Sequence, residues 1–102
     1  MNDYPAFTAH PPMYMQLRRR REELHLLQAD VAEALGVSAE AVCLWESARR
    51  RVELCKVPRL ARTLQMDPRE LCFTALEEYH PAFFQGIFGP HNETSAAIKP
   101  AA

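Results

Sequence analysis

Residues 28–47 read QADVAEALGVSAEAVCLWES, and the spacing of small and apolar residues in this stretch decides the fold. Val31, Ala32 and Leu35 recur at helical intervals, which predicts a helix over Gln28 to Leu35. Gly36 then closes it in the left-handed conformation that glycine tolerates. Ser38 is a good N-cap for a further helix with Val42 and Trp45 facing inward. The connection Gly36-Val37-Ser38 is three residues long. A helix, a short turn containing glycine and a second helix let the two helices cross and present the second one to a groove. With Gln28 as the first position, Ala32 is the fifth, where only a small side chain permits that close crossing.

Working outward, Leu17, Arg21 and Leu24 fall at i, i+4 and i+7 of a first helix starting at Tyr14, which puts one arginine of the Arg18 to Arg21 run on its apolar face. That arginine requires a carboxylate partner. Downstream of the basic loop Ala48 to Arg51, a fourth helix between about Leu54 and Leu64 would bury Val57, Leu60, Ala61 and Leu64. Pro58 is compatible with it only if the helix starts late, at Lys56 or Val57. Asp67 as N-cap, Pro68 at N1 and Glu70 at N3 announce a fifth helix, with Leu71, Ala75, Leu76 and Tyr79 as its stripe. Tyr14 to Tyr79 contains two prolines, one glycine and no alternating run of strand type. The expected fold is therefore all-α, a compact five-helix domain over residues 14–79.

Residues 1–13, with Pro5, Pro11 and Pro12, read as a flexible arm. Residues 80–102 read as a C-terminal extension, with a dimer contact at 80–88 and a disordered tail at 89–102. Phe83, Phe84, Ile87 and Phe88 exceed what a small monomer leaves in water, so they cover a core edge or meet a partner protein. The 102 residues suffice for one domain, and no apolar run approaches the roughly 20 residues of a membrane span. A cytoplasmic address is expected. Cys43, Cys55 and Cys72 are spaced unlike any metal or redox pair, and no metal or cofactor is expected. The formal charge of −1 hides a segregation: Tyr14 to Arg62 carries +3 and the remainder −4.

On Leu17 with Arg21, Gln28 to Gly36, Val37-Ser38, Val42, Trp45-Glu46 and Leu60-Ala61 with Leu64, the chain resembles the phage-repressor or Cro-like helix-turn-helix family, also called the xenobiotic-response-element (XRE) type. The resemblance spans Leu17 to Leu71. It implies a lambda-repressor-like domain that regulates transcription by binding double-stranded DNA as a homodimer. It also maps a buried ion pair onto Arg21 and Glu46, supplying the carboxylate that Arg21 needs. Three positions depart from the family pattern: Leu27 replaces a serine or threonine cap, and His25 and Ala48 stand where glycine is common. Each weakens a local signal by roughly 1 kcal/mol or less.

The same resemblance implies a phosphate contact for Gln28 and base reading by Ser38, Ala39, Glu40, Cys43, Leu44 and Ser47. None of these six can pair bidentately with guanine or adenine. Glu40 can accept from a cytosine amino group, and Ala39 or Leu44 can touch a thymine methyl. Affinity then falls to phosphate contacts, for which Arg49, Arg50, Arg51 and Lys56 are the candidates. Arg18, Arg19 and Arg20 fan around the first helix, so at most one or two of them can face a duplex. The alternative is a protein-interaction module or antitoxin-like partner that keeps the fold without strong base readout. Catalysis is not expected: there is no phosphate loop, no acid–base pair and no activated nucleophile.

Overall fold

The computed structural model describes residues 11–89. Within them run α1 (Met13–Glu23), α2 (Gln28–Leu35), α3 (Ala39–Glu46), a 3-10 turn (Leu54–Lys56), α4 (Val57–Thr63), α5 (Pro68–Tyr79) and α6 (Pro81–Phe88). The described residues are all-helical as expected, but they form six α-helices where five were anticipated. The core joins Leu17, Val31, Ala32, Leu35, Val42 and Trp45 to Val57, Leu60, Ala61, Leu64, Leu71, Ala75 and Tyr79. α2 packs on α3 and α4, α4 on α5, α1 on α3 and α5, and α6 on α5.

Two boundaries differ from expectation. Met13 belongs to the domain, not to an arm: it is 1% exposed, and its N–H donates to Glu78 Oε1 at 2.7 Å, fastening the start of α1 to the end of α5. The anticipated arm upstream of residue 11 and the tail beyond residue 89 lie outside the described residues. The sixth helix runs through Gly86, a residue that disfavours helix by about 1 kcal/mol relative to alanine. Tertiary packing overrides that propensity. Phe84 and Phe88 turn onto Phe73 of α5, with ring centroids 6.2 Å and 4.8 Å away, and Phe84 is wholly buried. Phe83 and Ile87, one turn apart on the opposite face, stay exposed. Burial thus removes Phe84 from the residues anticipated at a partner surface.

Pro58 lies in the first turn of α4, where its missing N–H leaves no helical bond unmade. Ser38 Oγ accepts from Ala41 N–H at 3.1 Å, and Asp67 Oδ1 accepts from Arg69 N–H at 2.9 Å. Leu27 has no capping side chain, but Asp30 reaches back and accepts from the Leu27 N–H at 2.7 Å. The start of α2 is thereby satisfied from within its own first turn.

α1, α2, α3 and α4 all close in the same way. At each end one N–H bonds three residues back and the next bonds five back, as in His25 N to Glu22 O and Leu26 N to Arg21 O, both 3.0 Å. This closure needs a left-handed residue. Gly36 supplies it with φ 70°, whereas His25, Ala48 and Gln65 adopt φ of 58°, 64° and 55° with a Cβ. For an L-residue the left-handed conformation costs roughly 1–2 kcal/mol. Arg20 secures one of these turns from outside, its Nε donating to Leu64 O at 2.9 Å and its Nη2 to Gln65 O at 3.2 Å.

Relief of this strain outweighs the extra unfolded-state freedom of glycine, so Ala48→Gly should stabilise the domain by about 0.5–1 kcal/mol, read as a higher urea midpoint at unchanged m-value.

The buried Tyr79 hydroxyl accepts from Val52 N–H at 3.1 Å and ties the α3–α4 loop to α5. Burial raises the Tyr79 phenol above its ordinary value, while the Val52 N–H works in the opposite direction. A group with a raised folded-state pKa contributes stability that is complete below the unfolded value and is lost as pH rises through the folded one. Stability should hold to about pH 10 and fall above it, whereas Tyr79→Phe, which orphans the Val52 N–H, should lose about 1–3 kcal/mol already at pH 7. Denaturant unfolding at pH 7 and pH 11 measures both effects.

Candidate nucleic-acid interface

The centre of the site is a charge that the fold must satisfy. Glu46, at the end of α3, has a side chain only 5% exposed. Arg21 meets it side-on, Nε to Oε2 at 2.7 Å and Nη2 to Oε1 at 3.0 Å. The remaining Arg21 nitrogen, Nη1, donates to Leu26 O at 2.8 Å, and Gln28 Nε2 adds a further bond to Glu46 Oε1 at 3.1 Å. The Glu46 hydrogen bonds, opposed in part by burial, hold the Arg21 guanidinium above its already high pKa. The pair and its two neighbours lock α1, α2 and α3 in one register. Gln28, expected at a phosphate, places its amide on this carboxylate.

With Glu46 pinned inward, the opposite face of α3 is turned out. Ser38, Ala39, Glu40, Cys43 and Ser47 are exposed and Leu44 is half-buried. Glu40, Cys43, Leu44 and Ser47 fall at i, i+3, i+4 and i+7 on one side of the helix. The Ser47 hydroxyl donates to Leu44 O at 3.2 Å, so it is partly committed to its own helix.

The basic loop divides. Arg49 and Arg50 are exposed beside the end of α3. Arg51 instead lays its guanidinium over the Tyr79 ring, 5.3 Å from the centroid, an arrangement that favours the cation electrostatically and turns it toward α5. Lys56 is ion-paired with Glu53, a contact that raises the lysine and lowers the glutamate pKa. Arg50, Arg51 and Lys56 still border an open groove with Ser38, Ala41 and Trp45. Sequence reasoning missed the parting of the three arginines because the backbone of the loop, not its composition, decides where each one points. It also missed the Gln28 amide contact, although a buried carboxylate one helix away was its signal.

Among the described residues, no three His, Cys, Asp or Glu side chains gather as a metal site, and no helix is long and apolar enough to cross a membrane.

The family model described as "Helix-turn-helix domain" matches residues 15–71, more than half of the chain. The chain belongs to the phage-repressor-like helix-turn-helix family. Its fold is similar to a crystal structure of the P22 c2 repressor protein in complex with synthetic operator 9T, at 29% sequence identity and a TM-score of 0.56. That likeness covers 61% of this chain and 94% of the repressor chain. No curated protein sequence matches the chain. In this helix-turn-helix protein the turn is Gly36-Val37-Ser38, and α3 is the helix the turn presents.

Breaking the ion pair from one side leaves a buried charge unpaired, so Glu46→Ala should cost about 3–5 kcal/mol of unfolding free energy. Gln28→Ala, which removes one bond from an otherwise satisfied carboxylate, should cost about 1 kcal/mol. Urea denaturation of the two variants checks the ranking, and equal losses would overturn the arrangement described.

Proposed function

We propose that this helix-turn-helix protein is a cytoplasmic, sequence-specific transcriptional regulator of the Cro/XRE type, repressor-like and acting by binding rather than by catalysis. α3 enters the major groove with Ser38, Ala39, Glu40, Cys43, Leu44 and Ser47 toward the base edges, while Arg49 and Arg50 meet the flanking phosphates. The observation that carries the reading is the solvent-facing side of α3 with those two arginines at its end. The likeness to a repressor crystallised with its operator supports it.

A homodimer completes the reading. One small module covers little DNA, and paired copies reach half-sites about one helical turn apart. Phe83 and Ile87, exposed one turn apart on α6, supply its apolar contact. The six reading side chains offer only Glu40 as a strong base partner, so direct readout is modest, and phosphate contacts and DNA shape carry the rest.

Selection from a random duplex library at two salt concentrations should enrich a two-fold-symmetric site. Each phosphate contact contributes about 0.9 to the slope of log K against log salt, so Arg49→Ala with Arg50→Ala should flatten it by about 1.8 per protomer and weaken all sequences alike. Glu40→Ala should instead relax the preference at one base pair. A folded protein with no enrichment and no salt-sensitive retention would overturn the reading.

A further inference from the structure

Of the arginine run on α1 only Arg21 takes part in the site described above, and the structure separates the members of the run. Arg21 is consumed by Glu46, and Arg20 is held by Leu64 O, Gln65 O and Glu23. Arg19 is exposed and makes no ion pair among the described residues. Arg18 and Arg21 line an open recess of about 260 Å³ with Gln28, Cys43, Glu46 and Ser47, and of the two arginines only Arg18 is largely exposed. Two of those residues, Cys43 and Ser47, lie on the outward side of α3. The recess therefore opens where the backbone of a duplex read by α3 would pass.

Arg18 is held there loosely. Its side chain is 64% exposed and meets a single partner, Glu22, one turn along α1, by one bond of 3.3 Å from Nε. An exposed pair of this kind contributes little and is readily exchanged, whereas an arginine donating to a phosphate forms a stronger, frequently bidentate contact. Other donors near the recess are committed: Arg21 to Glu46 and Leu26 O, and the Gln28 amide to Glu46. The exposed cation at this recess is Arg18, whose one ion pair lies at the surface.

We infer that the recess between α1 and α3 is a DNA-phosphate site in which Arg18 is the binding residue, released from Glu22 on engagement. Glu22 acts as a competing counter-ion that lowers affinity in the free protein. The inference rests on the DNA-binding reading and adds a contact from a second helix, on the other side of α3 from Arg49 and Arg50.

The test is a double-mutant cycle on the full chain, bound to its selected duplex and to a random duplex of equal length at several salt concentrations. Arg18→Ala should weaken both duplexes by about tenfold and lower the salt slope by about 0.9 per protomer, while Arg19→Ala leaves both nearly unchanged. Glu22→Gln should strengthen binding several-fold, and that gain should vanish in the Arg18→Ala background. Simple removal of a negative charge near DNA would give the same gain in both backgrounds, because independent sites add. An additive cycle, or an Arg18→Ala slope equal to that of the parent, overturns the inference while Arg49→Ala with Arg50→Ala still reports DNA binding. Absence of binding by the folded parent chain overturns both.

Discussion

A carboxylate with 5% of its side chain exposed needs an ionic partner, and Glu46 finds it in Arg21, twenty-five residues earlier. The crossing of α2 and α3, the direction in which α3 presents its outer face and the position of α1 all follow from closing that contact. The Leu26 carbonyl and the Gln28 amide complete its valences, so the loop between α1 and α2 is part of the same constraint. Replacing the pair by apolar residues of similar volume need not destabilise a protein, and a buried pair is thus weak evidence for stability as such. Its contribution here is geometric: it fixes which side of α3 is solvent-facing.

Around that anchor, charge is allocated by role. Arg20 closes the end of α4, Arg51 rests on Tyr79, and Lys56 pairs with Glu53. What remains uncommitted on the α3 side is Arg49, Arg50 and the weakly held Arg18. A chain with a net charge of −1 can thus expose a local positive rim around the helix its turn presents, and the acidic excess lies in the other segments. Net charge alone would have misdirected the functional reading.

The crossing of α2 and α3 was legible because its determinants are local: Ala32 at the contact, Gly36 in the turn and Ser38 at the cap each have one structural job. The partner of Arg21 was legible through family resemblance, since an arginine on an apolar face announces a need but not an address. α6 was not, because Gly86 spoke against a helix and the favourable terms came from Phe73, on another element. The inward turn of Phe84 and outward turn of Phe83 likewise depend on where α5 lies. Helix closure at His25, Ala48 and Gln65 carried no glycine to mark it. There the hydrogen-bonded closure of the preceding helix sets the backbone, and the side chain tolerates it.

That repeated closure has a consequence for recognition. Four successive helices end in the same pair of backbone bonds, and the turn from α2 to α3 contains no residue beyond those needed to reverse the chain. Such a scaffold has little slack to surrender when it meets another surface, so the entropic cost of ordering it has already been met in folding. On the reading proposed for α3, adaptation falls to the duplex: the protein offers a template of fixed curvature, and sequences that deform toward it easily are the ones it would select.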